Sequence, residues 1–521
     1  VSDRGRALAV LCAVLFLTFV DTTIVAVALG DIQSSLHAGV TSLQWVVNAY
    51  ALMFASLMLT GGALGDRFGR KRLMLGGVVL FGAASVVGAL AQSVDVLIAA
   101  RALMGIGAAA SEPGTLSILR HVYPERRERS RAIGMWAGVT GVALAAGPVV
   151  GGALVGAFGW RGVFWFNVAF ALALVPLTLR AVPESADPDA ARLDLPGLLL
   201  GALTLGAVTF AIIMGETNGF TTSWILALFA IAAAAAAAFV AAELRTSVPM
   251  LDLRFLRIPE FSSALAVAFA LYFGIFSIFF FTALYLEEVI GYSGYRAAGE
   301  FGPMAATLVL GSQIGGRWVA RSGPRLPMAV GCLVAAAGIL LTDHFLPAHP
   351  SFGPLAVSLA VAGIGFGIAV VPVTSAVLTI VPAARSGMAA SATNTTRQLG
   401  AVFGVAVLGA LVNAHLTSDL GDRLRALGIP ANFQSIVIDA IETGTIPSGG
   451  NAPGASATYG PIVRKVISAA YGAFHAGLRT ALFTSAGLIL AAGLFSGLAY
   501  RRAGTQLSAP ARTPPAAPPG G

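Results

Sequence analysis

Long apolar runs broken by short polar turns set the pattern of this chain. A helix crossing a bilayer needs about 20 largely apolar residues. About fourteen stretches meet that requirement, near 7–29, 44–64, 73–92, 95–119, 133–157, 162–182, 197–216, 222–243, 262–286, 299–316, 326–346, 354–378, 388–414 and 477–500. The turns between them are short, with two exceptions. Residues 183–196 form a polar linker, and residues 415–476 form a long loop containing Gly, Ser and Asn. Within that loop, Ile436–Ile441 and Val463–Ala470 read as short amphipathic pieces on the membrane surface. The pattern predicts an all-α polytopic membrane protein.

The first run follows Arg4 and Arg6 and contains Ala26-Val-Ala28, which imitates a signal cleavage site. From Ala7 to Leu29 it is longer than a usual signal core, and it carries Asp21. It reads as a first transmembrane helix.

Composition narrows the class further. Of 521 residues, 57% are hydrophobic and 11% charged, and the mean hydropathy is +0.83. Soluble domains do not have this balance. The net charge of +8 comes from 32 basic residues, of which only Lys71 and Lys465 are lysines. On a soluble chain that charge would suggest nucleic acid. Here it falls mostly in alternate loops. With the N-terminus in the cytoplasm, Arg67, Arg70, Lys71, Arg72, Arg120, Arg126, Arg127, Arg129, Arg131, Arg245, Arg317, Arg321 and Arg325 all lie inside. The short outside loops keep only Arg161 and Arg296. This asymmetry predicts cytoplasmic termini and an even helix count, with 415–476 outside. Cys12 and Cys332 both lie in apolar runs, so no disulfide framework is implied.

The chain also repeats itself. Gly61-Gly-Ala-Leu-Gly-Asp-Arg-Phe-Gly-Arg-Lys-Arg72 returns, degraded, at Gly316–Arg325. Gly62, Arg67, Gly69 and Arg70 match Gly316, Arg321, Gly323 and Arg325. Gly105, Gly107, Pro124 and Arg127 recur as Gly363, Gly365, Pro382 and Arg385, all at an offset of 258. Helices 1–6 therefore correspond to helices 9–14, with helices 7 and 8 inserted between them. The Ala-rich run Ala232–Ala238 gives helix 8 a filler or peripheral role. The expected division is a six-helix half at 1–182, a linker with two inserted helices at 183–261, a second six-helix half at 262–500, and a Pro/Ala-rich tail at 501–521. Such duplication is typical of secondary transporters.

These motifs resemble the major facilitator superfamily, and within it the 14-helix drug:proton antiporter branch. The resemblance spans the chain to about residue 500. Gly62, Asp66, Arg67, Gly69, Arg70 and Lys71 look like the gating-loop signature between helices 2 and 3. Arg101-Ala-Leu-Met-Gly-Ile-Gly107 looks like the helix 4 motif. Gly141, Gly147, Pro148, Gly151 and Gly152 look like the antiporter motif of helix 5, which points to export. Asp21–Leu29 resembles the branch's helix 1 motif, departing from it at Ala26 and Gly30. Trp160-Arg161 with Asn167, and Asn394–Gly400, also match the branch. The resemblance implies that Asp66 helps hold the outward-open state. It also implies a multidrug exporter driven by protons, acting as a monomer in the cytoplasmic membrane on small-molecule substrates.

Charges inside a bilayer span are costly and point to function. Asp21, Arg101, Glu112 and Arg397 are the candidates. Arg101 and Glu112 lie eleven residues apart. At about 100° per residue they share one helix face, some 16 Å apart. Such a stripe should face an aqueous cavity, although a buried neutralising pair fits as well. Asp21 lies about 12 Å inside the outer end of the predicted helix 1, and Arg101 about 9 Å inside that of helix 4. In the resembled fold these two helices both line the central cavity, so the resemblance implies an Asp21–Arg101 pair, with Asp21 as the first proton-coupling candidate and Glu112 the second. Arg397 suits either a partner across the halves or an anionic contact. Helix 5 carries small residues that allow close helix packing, and Pro148 is expected to bend it. Tyr272, Phe276 and Phe279 share a face of helix 9. They could line a cavity and stack on flat substrates, but a Phe stripe more often meets lipid.

Other classes fit poorly. There is no Gly-x-x-x-x-Gly-Lys-Ser/Thr phosphate loop, and neither lysine follows a glycine. No metal-ligand spacing links the six histidines, and no Gly-x-Ser-x-Gly elbow occurs. The expectation is a non-enzyme with no cofactor and no nucleic-acid partner, powered by the proton gradient. The alternatives are an exporter of one endogenous metabolite or antibiotic and, less favoured, a proton-coupled importer.

Overall fold

The chain turns at two glycines of the repeated loop. Gly69 and Gly323 adopt φ of 103° and 77°, a region that a Cβ disfavours and glycine enters at little cost. One separates helices Val40–Phe68 and Arg70–Ala89, the other Gly302–Ser322 and Arg325–Phe345. The two copies of the motif thus share a positive-φ glycine turn as well as a residue pattern. The computed structural model describes residues 3–38, 40–186, 194–246, 249, 251–286, 292, 296, 299–346, 352–382, 386–426 and 461–507.

Fourteen helices of 20 residues or more succeed one another among the described residues. They are α1 (Asp3–Ile24), α2 (Val40–Phe68), α3 (Arg70–Ala89), α4 (Val94–Val122), α5 (Arg126–Phe158), α6 (Arg161–Ala181), α7 (Leu195–Asn218), α8 (Ser223–Arg245), α9 (Pro259–Leu284), α10 (Gly302–Ser322), α11 (Arg325–Phe345), α12 (Phe352–Ile380), α13 (Ser386–Ala426) and α14 (Pro461–Leu507). No strand occurs among the described residues. Eleven of the helices are long and apolar enough to cross a membrane. The other three are α5, α10 and α13. Each packs on several neighbours, so protein replaces lipid around its polar and glycine positions.

Packing repeats the duplication. In the first half α2 packs on α4, α3 on α4 and on α6, and α1 on α5 and on α6. In the second, α10 packs on α12, α11 on α12 and on α14, and α9 on α13 and on α14. The glycines paired in sequence do the same work in both halves. A Cβ on Gly107 would sit 2.7 Å from the Gly77 carbonyl oxygen, and one on Gly365 would fall on the Ala335 backbone. Two seams join the halves, α5 against α10 and α2 against α13, and they exchange under the same repeat. The inserted helices break this symmetry. Helix α7 packs on both α2 and α13, with Trp45 and Phe210 rings 5.6 Å apart, so it bridges the halves and is more than filler. Helix α8 is peripheral, with much of its alanine run exposed.

Some boundaries differ from expectation. Helix 1 was expected to reach Leu29, but α1 ends at Ile24, followed by a 3₁₀ turn at Ala26–Ala28 and a short helix at Leu29–Leu36. Thr22, Thr23, Ile24 and Val25 are four β-branched residues in a row, which helices tolerate poorly. Thr22 and Thr23 also bond back to the Thr18 and Val20 carbonyls at 3.2 and 3.3 Å, a habit that bends helices. At the other end, α13 and α14 invade the expected loop 415–476 from both sides. Leu420 and Leu424, a turn apart, are fully buried, so the polar stretch after residue 414 is an amphipathic helix face. Val463–Ala470 is the start of α14 rather than a separate piece. Ile436–Ile441, the linker residues 187–193, Arg385 and the tail 508–521 lie outside the described residues.

The glycine contacts yield a stability test. Gly365→Val should lower the thermal unfolding midpoint in detergent by an amount matching ~1–3 kcal/mol of overpacking. Gly487→Val, where a Cβ meets nothing within 4 Å, should leave it nearly unchanged. Equal midpoints would contradict the close approach.

Candidate functional site

The charged residues of the spans form two centres. In the first, Asp21 near the end of α1 is fully buried, and so is Arg101 on α4. Asp21 Oδ2 accepts from Arg101 Nη1 in an ion pair. Its Oδ1 accepts from Asn167 Nδ2 on α6 at 2.7 Å. Arg101 Nε donates to the Val46 carbonyl of α2 at 2.9 Å, and its guanidinium lies 4.6 Å from the Tyr50 ring centroid. Tyr50 in turn donates its hydroxyl proton to the Thr18 carbonyl at 3.0 Å. Four helices thus meet on one buried carboxylate. The sequence predicts the pair. It does not predict the enclosure, because Asn167 and Tyr50 replace the expected water.

The second centre lies across the halves. Glu112, on the same face of α4, is buried, and its Oε2 has no hydrogen-bond partner. It lies within electrostatic reach of Arg397 on α13. Arg397 is itself buried and held from three sides. Nη2 donates to Thr374 Oγ1 and Nη1 to Asn394 Oδ1 at 3.3 Å. The rings of Trp136 and Tyr272 lie 5.6 and 5.4 Å from the guanidinium carbon, positions suited to cation–π attraction. Trp136 Nε1 donates to Thr115 Oγ1 at 3.2 Å, and Thr115 to the Glu112 carbonyl at 2.7 Å, which braces the backbone beside Glu112. Asn394 Nδ2 is buried without a hydrogen-bond partner. Tyr50 feels both Asp21 and Glu112, so it stands between the centres.

The repeat exposes an asymmetry here. At the offset of 258, Arg101 and Glu112 correspond to 101 + 258 = 359 and 112 + 258 = 370. These are Leu359 and Val370, both buried on α12. The halves share a skeleton, but α4 alone carries the two charges.

The aromatic face of α9 is turned inward, against the expectation of lipid. Tyr272 is buried, and Phe276 and Phe279 pack against the core. Tyr272 and Phe276 rings stack at 6.3 Å, while Phe279 and Phe301 are 4.7 Å apart. Phe280 takes the outer side, 48% exposed. Tyr272 turns its ring to the Arg397 guanidinium.

In the helix 2–3 loop, Asp66 and Arg70 are buried. Asp66 Oδ1 accepts from Arg70 Nε at 2.7 Å and pairs with Nη2 at 2.6 Å. Glu184 caps α3, accepting from the Lys71 and Arg72 amides at 3.0 and 3.2 Å. Gly69 leaves room for that carboxylate, 3.0 Å from where its Cβ would be. Gly62 lies on α2 and Arg67 stacks on Phe68 at 5.1 Å. Nearby, Arg120 reaches across the halves and donates to the Val381 carbonyl at 3.1 Å.

Helix α5 presents two glycine faces. Gly134 and Gly138 meet Ser312 of α10. Gly147 and Gly151 meet Thr23 and Ile24 at the end of α1, where a Cβ on Gly151 would lie 2.9 Å from the Ile24 carbonyl oxygen. The antiporter-type glycines thus set α5 beside Asp21. Gly141 and Gly152 lie along the same helix, which stays regular through Pro148. Sequence reasoning missed Tyr50, Trp136 and Thr374. The available signal was a tyrosine and a tryptophan inside runs of otherwise small or aliphatic residues.

Known proteins share this plan. The family model for the Major Facilitator Superfamily matches residues 11–405. The chain is 34% identical over 430 residues to "Multidrug resistance protein Stp" of Mycobacterium tuberculosis, covering 82% of this chain and 80% of that one. It is 32% identical over 499 residues to "Multidrug efflux pump LfrA" of Mycolicibacterium smegmatis, covering 95% and 96%. The solved structure of the human organic anion transporter MFSD10 (TETRAN) superposes with a TM-score of 0.63 at 15% identity, covering 95% of this chain and all of that one.

The first centre makes a clear energetic prediction. Arg101→Met strands the Asp21 carboxylate, and removing one partner of a buried pair costs about 3–5 kcal/mol. Adding Asp21→Asn should recover much of the lost thermal midpoint in detergent. Identical midpoints for the single and double variants would show that the two residues are not coupled.

Proposed function

The chain belongs to the Major Facilitator Superfamily, and from that premise we propose that it exports hydrophobic or cationic drugs in exchange for protons. It is a multi-pass membrane protein of a transporter family rather than an enzyme family. The names of the relatives support the direction of transport, and so do the glycines of α5. The proposal further holds that all fourteen helices cross the cytoplasmic membrane, with both termini inside. The halves are 1–182 and 262–500, the inserted pair lies in 183–261, and the tail is 501–521. One chain works alone, without a cofactor, on a small-molecule substrate and the proton gradient.

One observation carries the mechanism: Glu112 faces Arg397 across the halves with a carboxylate oxygen left unbonded. When Glu112 is ionised, Arg397 balances its charge. A proton on Glu112 removes that balance and leaves Arg397 as a net positive charge, which repels a cationic drug. A drug cation on the carboxylate excludes the proton in the same way. Mutual exclusion at one carboxylate is what exchange requires. Tyr272, Phe276 and Trp136 offer ring faces to the apolar part of the drug. Asp21, with both oxygens already bonded, positions α1, α4 and α6 and relays the charge state through Tyr50. Asp66 and Arg70 brace the cytoplasmic ends while the outer side is open.

Coupling is tested by drug-induced proton release from the purified protein in detergent. Glu112→Gln should reduce release at least about tenfold, equivalent to 1.4 kcal/mol. Asp21→Asn should weaken release less. Full release from the Glu112 variant, with loss only in the Asp21 variant, would move the exchange site to α1. In whole cells, a protonophore should raise dye accumulation to the level of the Glu112 variant; an unchanged level would exclude proton drive.

Sidedness has its own test. Ser448→Cys should react with an impermeant thiol reagent in intact cells. Labelling only after lysis would refute the fourteen-crossing topology.

A further inference from the structure

Away from both charged centres, the ends of α1, α3, α4 and α6 leave a cavity of about 430 Å³ between them. That volume is within the range of small-molecule sites. Its lining has two characters. Arg4, Lys71, His121 and Arg180 supply basic groups, while Ala7, Val122, Leu179 and Val182 supply apolar surface. Asp3 is the one carboxylate in the lining, and Arg6 pairs with it at 2.5 Å.

The basic groups are available. Lys71 Nζ donates to the Leu179 carbonyl at 2.9 Å, which uses one of three ammonium donors. Arg4 meets Glu128 at 3.0 Å, with both side chains about half exposed, and exposed pairs of this kind are weak and exchangeable. Arg180 is exposed and has no ion pair among the described residues. From the cavity, one face of α6 continues as an apolar wall, with Leu179 and Leu172, two turns apart, exposed at 53% and 69%. A basic hollow at the foot of a lipid-facing wall has the shape of a headgroup site, because the phosphate and the acyl chains need those two surroundings side by side.

We infer that this cavity binds the phosphate of an anionic phospholipid, with the acyl chains lying along α6. The inference uses the membrane placement proposed above but not the direction or coupling of transport. The occupied site ties together four helix ends around the start of α3, and so stiffens the first half next to the gating loop.

Binding is read by native mass spectrometry of the full chain in detergent, titrated with phosphatidylglycerol, phosphatidylcholine or inorganic phosphate. This readout is independent of transport. Phosphatidylglycerol should be retained in preference to phosphatidylcholine. Arg4→Gln with Arg180→Gln should weaken its retention about 25-fold, from about fivefold per cation lost near a lipid surface. Arg245→Gln, a basic change outside the cavity, should alter it less than about twofold. Equal retention of the two lipids, or equal loss in the Arg245 variant, would overturn the site. Displacement of phosphatidylglycerol by an equal concentration of inorganic phosphate would overturn the lipid as its source.

Discussion

A charge removed from water has to be balanced, and the first half is arranged around that need. Burying one carboxylate alone costs several kcal/mol even after relaxation. Asp21 is relieved by Arg101 and Asn167, and Arg101 by Val46 and Tyr50. The reliefs come from α4, α6 and α2, so these three helices and α1 are tied together at one ion pair. The glycines of α5 then let α1 approach without a gap at its terminal turn. The arrangement leaves Glu112 as the more weakly held carboxylate.

Duplication supplied the frame but not the chemistry. Both halves use the same helix pairings and the same left-handed glycine turn. Yet where α4 has Arg101 and Glu112, α12 has Leu359 and Val370. The second half answers with Arg397 on a different helix, packed between aromatic rings. A carboxylate from one half and a cation from the other thus lie within electrostatic reach across the boundary between the halves.

Much of this was legible in the sequence. The succession of long helices and the 258-residue offset follow from hydropathy and spacing, and the Asp21–Arg101 pair from the resemblance together with the cost of buried charge. The end of α1 was not legible from hydropathy, because Thr22–Val25 look apolar or neutral while their branching weakens the helix. The extension of α13 was hidden for the opposite reason: its polar residues mask the buried Leu420 and Leu424. The Tyr272 face packs on residues distant in sequence, Arg397 among them, which no local pattern reports. Tyr50 escaped notice because its role depends on Arg101 standing beside it.

The inserted helix α7 grips α2 and α13 on one flank, while the α5–α10 flank has no such brace among the described contacts. The two flanks of the boundary are therefore unlike: one is clamped by a third helix, the other is closed by α5 against α10, with Gly134 and Gly138 on Ser312. The insertion thus gives a twofold-symmetric ancestor a front and a back.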